Sequence, residues 1–175
     1  MTDSVKSIEG SVSVNYSSPA CDFSEAGSYA NTACVAATSA LASAYAGDTS
    51  LVPKYVAFLY SNERKDLAID ASTTWQSVID SGYSINRVDF SYRATVDDNK
   101  VTFHARTEGI PDSTIYAACL LGKSPKSSDS FEVLAIVDLG EKQKPTDFEL
   151  SIDWTVKFNS GAVVDTGDSE EEYLS

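Results

Sequence analysis

The sequence predicts a mainly β protein, an antiparallel β-sandwich of jelly-roll or immunoglobulin-like type with one packed α-helix. Three observations carry that expectation. In the run Phe148–Phe158, Phe148, Leu150, Ile152, Trp154, Val156 and Phe158 alternate with Glu149, Ser151, Asp153, Thr155 and Lys157. Side chains on a strand point to opposite faces with period two, so this is a strand with an apolar and a wet face. Just upstream, Val101–Arg106, Thr114–Leu121 and Phe131–Leu139 are strand-like runs separated by turn-rich links. Together the four read as an antiparallel sheet with one solvated face. Thirdly, a long helical pattern is confined to the Ala-, Ser- and Thr-rich stretch from Asn31 to Ala46.

Taken in order, Ser11–Tyr16 alternates through Val12, Val14 and Tyr16 and reads as a first strand, broken by Ser17-Ser-Pro-Ala-Cys21. Phe23 to Tyr29 reads as a polar connection. Over about 31–46, Cys34, Thr38, Leu41 and Tyr45 recur at helical spacing, with Asn31 placed as N-cap and Gly47 as the C-terminal glycine. So small a surface suits close packing on a sheet. Pro53–Tyr60 is almost continuously apolar and predicts a strand buried on both faces, followed by a surface loop to Asp70. Thr73 and Gln76 have capping-box spacing for a short second helix over about 73–81, closed by Gly82. Val88–Thr95 and Val101–Arg106, joined by the turn residues Asp97-Asp-Asn-Lys100, predict a hairpin.

At 175 residues the chain has the length of one domain. The organisation expected is an N-terminal extension over 1–10, a single sandwich over 11–160 and an acidic C-terminal tail over 161–175. The N-terminus lacks the basic start and apolar core of a signal peptide. No apolar stretch approaches the roughly 20 residues that span a bilayer.

Twenty-six acidic residues against 13 basic ones give a net charge of −13. Such a surface repels phosphate backbones and anionic lipids, so neither nucleic acid nor a membrane is expected as a partner. Cys21, Cys34 and Cys119 are odd in number and carry no metal-site spacing, which favours inert buried thiols over a disulfide framework.

No catalytic, cofactor-binding or metal-binding residues are assigned. His104, the only histidine, falls on the polar face of its strand with Thr102 and Arg106 and cannot build a conventional zinc site. The nucleophile-elbow pattern Gly-x-Ser-x-Gly is absent, as is a glycine-rich phosphate loop. Asp97-Asp98-Asn99 and Asp165–Glu170 lack the ligand spacing of a calcium loop and read as a turn and a tail.

The order of the pieces resembles a class of tailed-phage virion proteins that includes tail-appendage, fibre-base and capsid-decoration components. The matching stretches are Asn31–Gly47, Tyr55–Tyr60, Ser72–Arg87, Lys100–Arg106, Ser113–Leu121, Val133–Ile136 and Leu150–Phe158. Two departures stand out: Tyr116-Ala-Ala-Cys119 replaces the usual acidic residue and glycine, and the strand after Tyr55 lacks the usual glycine. The resemblance implies a non-enzymatic structural role in a virus particle. Other virion proteins would be the partners, in a symmetric homo-oligomeric assembly, and no cofactor is implied. Tyr92, Tyr116 and the loop Lys123–Ser130 are the expected contact elements. The alternative expectation is a β-sandwich module that binds a host surface glycan or receptor through the loop tips Asn62–Asp70 and Lys123–Ser130.

Overall fold

A computed structural model describes residues 5–18, 23–90, 94–107, 110–123, 130–144 and 149–160. Its elements run β1 (Val5–Ser18), β2 (Phe23–Ala30), β3 (Thr32–Ala33), α1 (Ala36–Tyr45), β4 (Pro53–Ser61), α2 (Trp75–Asp80), β5 (Ser84–Asp89), β6 (Ala94–Asp97), β7 (Lys100–Arg106), β8 (Ser113–Lys123), β9 (Phe131–Lys144) and β10 (Glu149–Ser160). Two five-stranded antiparallel sheets result. The terminal sheet, which holds the first and last strands, has the order β2-β1-β10-β7-β6; the central sheet has the order β3-β9-β8-β4-β5.

The sheets pack face to face on one apolar core. Val12 and Val14 of β1, Phe103 of β7, and Leu150, Ile152 and Trp154 of β10 meet Val56 and Phe58 of β4, Ile115 and Leu120 of β8, and Val137 and Leu139 of β9. Alternation has the expected consequence on β10: Leu150, Ile152 and Trp154 are buried while Asp153 and Lys157 are exposed. The mainly β sandwich expected from the sequence is the fold observed.

Several expectations need correction. The four C-terminal strands do not share one sheet: β7 and β10 lie in the terminal sheet, β8 and β9 in the central one. Nor does β8 have a wet face, because Thr114 to Gly122 are buried throughout. Phe23–Tyr29, read as a connection, belongs to β2, whose backbone pairs with β1 from Ser18↔Phe23 to Ser11↔Ala30. Here backbone pairing overrides a polar, Gly-containing sequence. β1 itself begins at Val5, inside the stretch 1–10 read as an extension, because Val5 to Gly10 continue the ladder with β10.

The expected strand Val88–Thr95 is divided. β5 ends at Asp89 in the central sheet and β6 starts at Ala94 in the terminal sheet, so the chain changes sheets between them. The hairpin is therefore β6–β7, turning at Asp98, whose φ of +55° is the left-handed geometry of a tight turn.

Helix α1 is shorter than 31–46 at its start. Thr32 and Ala33 pair with Ile136 and Ala135 of β9, and the N-cap position falls to Val35 without a side-chain cap. Asn31 is not a cap. Its Oδ1 accepts from the indole Nε1 of buried Trp154 at 3.1 Å. Gly47, with φ of +93°, closes the helix as expected. The capping box of α2 is built one residue later than expected: Thr74 Oγ1 accepts from Ser77 N at 3.1 Å and Ser77 Oγ accepts from Thr74 N at 3.0 Å. Thr73 is instead buried, donating to the Ala68 carbonyl at 2.8 Å and accepting from Asp70 N at 3.1 Å.

The outer face of the central sheet is covered by the segment from Arg64 to Tyr83, which brings in Val78 of α2. Beneath it lies a second apolar cluster containing Ala57, Leu59, Tyr116, Cys119, Leu121 and Ile136, with Leu67, Ile69 and Trp75 packed on its margin. Pro53–Tyr60 meets its expectation here: Val56 and Phe58 face the other sheet, Ala57 and Leu59 face the cover.

Candidate functional site

Two regions of the described structure have the makings of a site: the wet face of the terminal sheet and an apolar cavity between that sheet and α1. On the wet face, strand pairing places residues from β6, β7 and β10 side by side. His104 pairs with Asp153 across β7 and β10, and Thr102 with Thr155. His104 Nδ1 lies 2.7 Å from Asp153 Oδ1, so the nitrogen donates and the carboxylate accepts. That assignment leaves Nε2 to accept from Thr95 Oγ1, at 3.5 Å. Thr102 Oγ1 and Thr155 Oγ1 are 2.9 Å apart.

A threonine, a histidine and an aspartate in sequence have the order of a proton relay. Their setting is against that role. The His104 and Asp153 side chains are 42% and 57% exposed on an open sheet face. In so watery a place their mutual attraction is weak and a developing charge gains little. The arrangement fits a cross-strand polar ladder, and His104 lies on the polar strand face where alternation places it.

Beside Asp153, the wet face dips into a shallow depression lined by Ser13 and Asn15 of β1, Ser28 of β2, and Ser151 and Asp153 of β10. Gly27 lines the floor through its backbone, since its pairing with Val14 turns its Cα substituent towards the core face and Tyr29. Hydroxyl, amide and carboxylate groups from three adjacent strands converge there, a donor and acceptor set suited to a hydroxylated ligand.

The second region is a cavity of about 350 Å³. Ala37, Ala40, Leu41 and Ala44 form one face of α1 along it, at helical spacing. Opposite stand Val101, Phe103, Val156 and Phe158 of the terminal sheet, with Leu120 and Leu134 of the central sheet at the side. Among the described residues no charged side chain lines it, and Asn31 is the one polar side chain there. Gly10 is part of the same corner. A Cβ on Gly10 would collide with the Asn31 carboxamide, so glycine is required for Asn31 to reach Trp154.

No protein-family model, curated protein or solved structure matches this chain.

The expected contact residues fare unevenly. Tyr116 is not an exposed contact element: it is 4% exposed, packed on Tyr83 with ring centroids 5.7 Å apart and covered by the Arg64 guanidinium. Register shifts between Ile115 and Ala117 turn Tyr116 onto the covered side of β8. The loop Asn62–Asp70 is a cover more than a free tip. Arg64 bridges to Asp138 at 3.3 Å, and the Tyr83 hydroxyl accepts from Lys65 N at 2.9 Å. Tyr92, Cys21, the tail 161–175 and most of the loop Lys123–Ser130 lie outside the described residues.

Cys34 and Cys119 are buried free thiols. Burial, reinforced by the neighbouring Asp70 carboxylate, pushes Cys34 up to about 11, and burial raises Cys119 as well. A thiol held protonated is a poor nucleophile.

Neither the cavity nor the depression was anticipated. The alanines of α1 are visible in the sequence, but nothing in a helical pattern says that the space they leave remains unfilled. An aromatic group was also missed: Phe131 meets Tyr55 and Trp75 edge-on at centroid separations of 5.4 and 5.3 Å, under the Arg87 guanidinium.

Proposed function

We propose that this chain is a non-enzymatic structural component of a tailed virus particle, a tail appendage, fibre adaptor or capsid-surface protein. It acts through contacts with other virion proteins and with copies of itself in a symmetric assembly. The running order of its elements supports the setting, through the resemblance carried by Asn31–Gly47, Lys100–Arg106 and Leu150–Phe158. One structural observation carries the mode of action. Among the described residues β6 is an edge strand whose four residues are all exposed, with Val96 73% exposed. An open edge with an exposed β-branched side chain is a template for adding a strand from another chain, and proteins ordinarily blunt such edges.

The test is quantitative mass spectrometry of gradient-purified particles made with wild-type chain or with Val96→Glu. A fixed ratio to the major capsid protein for the wild type, lost for a Val96→Glu chain that stays folded, is the expected result. Absence of the wild-type chain from particles, with abundance in the soluble lysate, overturns the proposal.

The depression beside Asp153 favours one second reading, a β-sandwich module that binds a surface glycan. Under it, saturable binding on a glycan array would be expected, weakened at least tenfold by Asp153→Ala, a typical cost of leaving a ligand's hydroxyls unpaired.

A further inference from the structure

We propose that the cavity beneath α1 is a binding site for a neutral, largely apolar small molecule carrying one hydrogen-bond acceptor. Its size comes first. An apolar cavity of about 150 Å³ stays dry and takes benzene. At about 350 Å³ this one holds more than twice that volume, enough by proportion for roughly ten to fifteen non-hydrogen atoms. Small-molecule sites begin at about this volume, and they share its character: mostly apolar walls with few polar groups.

The second observation is the state of Asn31. An indole N–H can only donate, so the oxygen of the Asn31 carboxamide faces Trp154 and its Nδ2 points away. Those Nδ2 hydrogens have no acceptor among the described residues, while Asn31 forms part of the cavity wall. A ketone, ester or ether oxygen placed there would take one of them.

Charge decides the class. Among the described residues the walls offer no cation to a carboxylate or phosphate, and a chain of net charge −13 repels anions at the mouth. Fatty-acid anions are thereby disfavoured against neutral molecules of equal length. The two faces meeting across the cavity, small residues on α1 and larger ones on the sheet, leave a slot rather than a filled core.

The experiment is isothermal titration calorimetry of the full chain with 2-decanone, decanoate and butylbenzene. Expected is one saturable site for 2-decanone, with Kd on the order of 10 μM for so small an apolar ligand. Decanoate binds at least tenfold more weakly, and butylbenzene, which lacks an acceptor, several-fold more weakly. Ala40→Leu places three carbons in the slot and lowers affinity for 2-decanone at least tenfold while leaving the thermal midpoint equal or higher. Ala44→Leu serves if Ala40→Leu does not fold. Lack of 2-decanone binding by folded wild type overturns the proposal, as does affinity unchanged in both variants. Equal binding of decanoate overturns the charge argument, and equal binding of butylbenzene overturns the role of Asn31. Binding that emerges only when the chain is shortened to end at Ser160 also overturns it, since residues beyond that point would then be the occupant.

Discussion

The two sheets are built from strands of similar length and opposite logic. The terminal sheet buries one face and wets the other, so its strands alternate: Val12 and Val14 against Ser11, Ser13 and Asn15 on β1, Leu150 to Trp154 against Ser151 and Asp153 on β10. The central sheet buries both faces, one against the other sheet and one under the segment that carries α2. Its middle strand β8 therefore reads Ile-Tyr-Ala-Ala-Cys-Leu-Leu without alternation. The difference teaches that the central sheet holds the stability of the molecule and the terminal sheet presents its surface. The wet ladder, the polar depression and the open edge β6 all belong to the terminal sheet.

The sharpest way to break that comparison is to substitute matched positions on the two outer faces. Leu121, fully buried beneath the cover, loses about 2–5 kcal/mol on truncation to Ala, through lost burial and the cavity left behind. Thr155, on the wet ladder, loses less than about 1 kcal/mol on the same substitution, since its hydroxyl exchanges a protein partner for water. Urea unfolding at constant m-value reads both. Equal losses at the two positions would mean that the faces are not different in kind.

A second test addresses the corner where the terminal sheet meets α1. Gly10→Ala forces the Asn31 carboxamide aside and uncouples it from Trp154. The expected cost is about 2 kcal/mol, from overpacking and from a buried indole N–H without its acceptor. Asn31→Ala combined with Gly10→Ala removes the collision, so the double variant should be less destabilised than the two single losses added. Thermal unfolding of the three variants measures that shortfall.

How much of this was legible follows from the same contrast. Where one face is wet, the pattern names the strand and its inward residues, as it does for β10 and β7. Where both faces are covered, as in β4, the apolar run names a buried strand but not which residue faces which layer. Sheet membership was not legible at all. Nothing in Val88–Thr95 marks the chain's passage from one sheet to the other, and nothing in Phe23–Tyr29 marks an edge strand, whose identity rests on backbone pairing with β1. Asn31 misled for a physical reason. The carboxamide that makes asparagine a good cap also makes it a good acceptor for an indole, and Trp154 is distant in sequence.

Beneath the cover of the central sheet, the buried thiols give a third test. Cys34 is raised from 9.0 to about 11 when folded. Below pH 9 both folded and unfolded chains keep the proton and the thiol is neutral to stability. Above it the unfolded chain releases the proton first, so stability falls as pH climbs from 9 towards 11. The loss at pH 10 is about 1 kcal/mol for this group. Cys34→Ala removes that part of the alkaline slope, and urea unfolding at pH 8 and pH 10 in both chains isolates it. An identical slope in the two chains would mean that the cover does not exclude water from Cys34.

The smallest effect is expected where geometry looks strongest. His104 Nδ1 and Asp153 Oδ1 are only 2.7 Å apart, closer than Arg64 to Asp138 at 3.3 Å or Lys65 to Glu63 at 3.7 Å. Distance alone would rank the pair as a major contributor. Exposure reverses that ranking, because both side chains are close to half exposed and water solvates each as well as they solvate each other. A double-mutant cycle of His104→Ala and Asp153→Ala should give a coupling of less than about 1 kcal/mol, reduced further by added salt. A coupling above about 2 kcal/mol that survives 1 M salt would show the ladder to be shielded from water. The wet face would then be an interior surface exposed only in the isolated chain, which is how a face that docks on a neighbour in an assembly would behave.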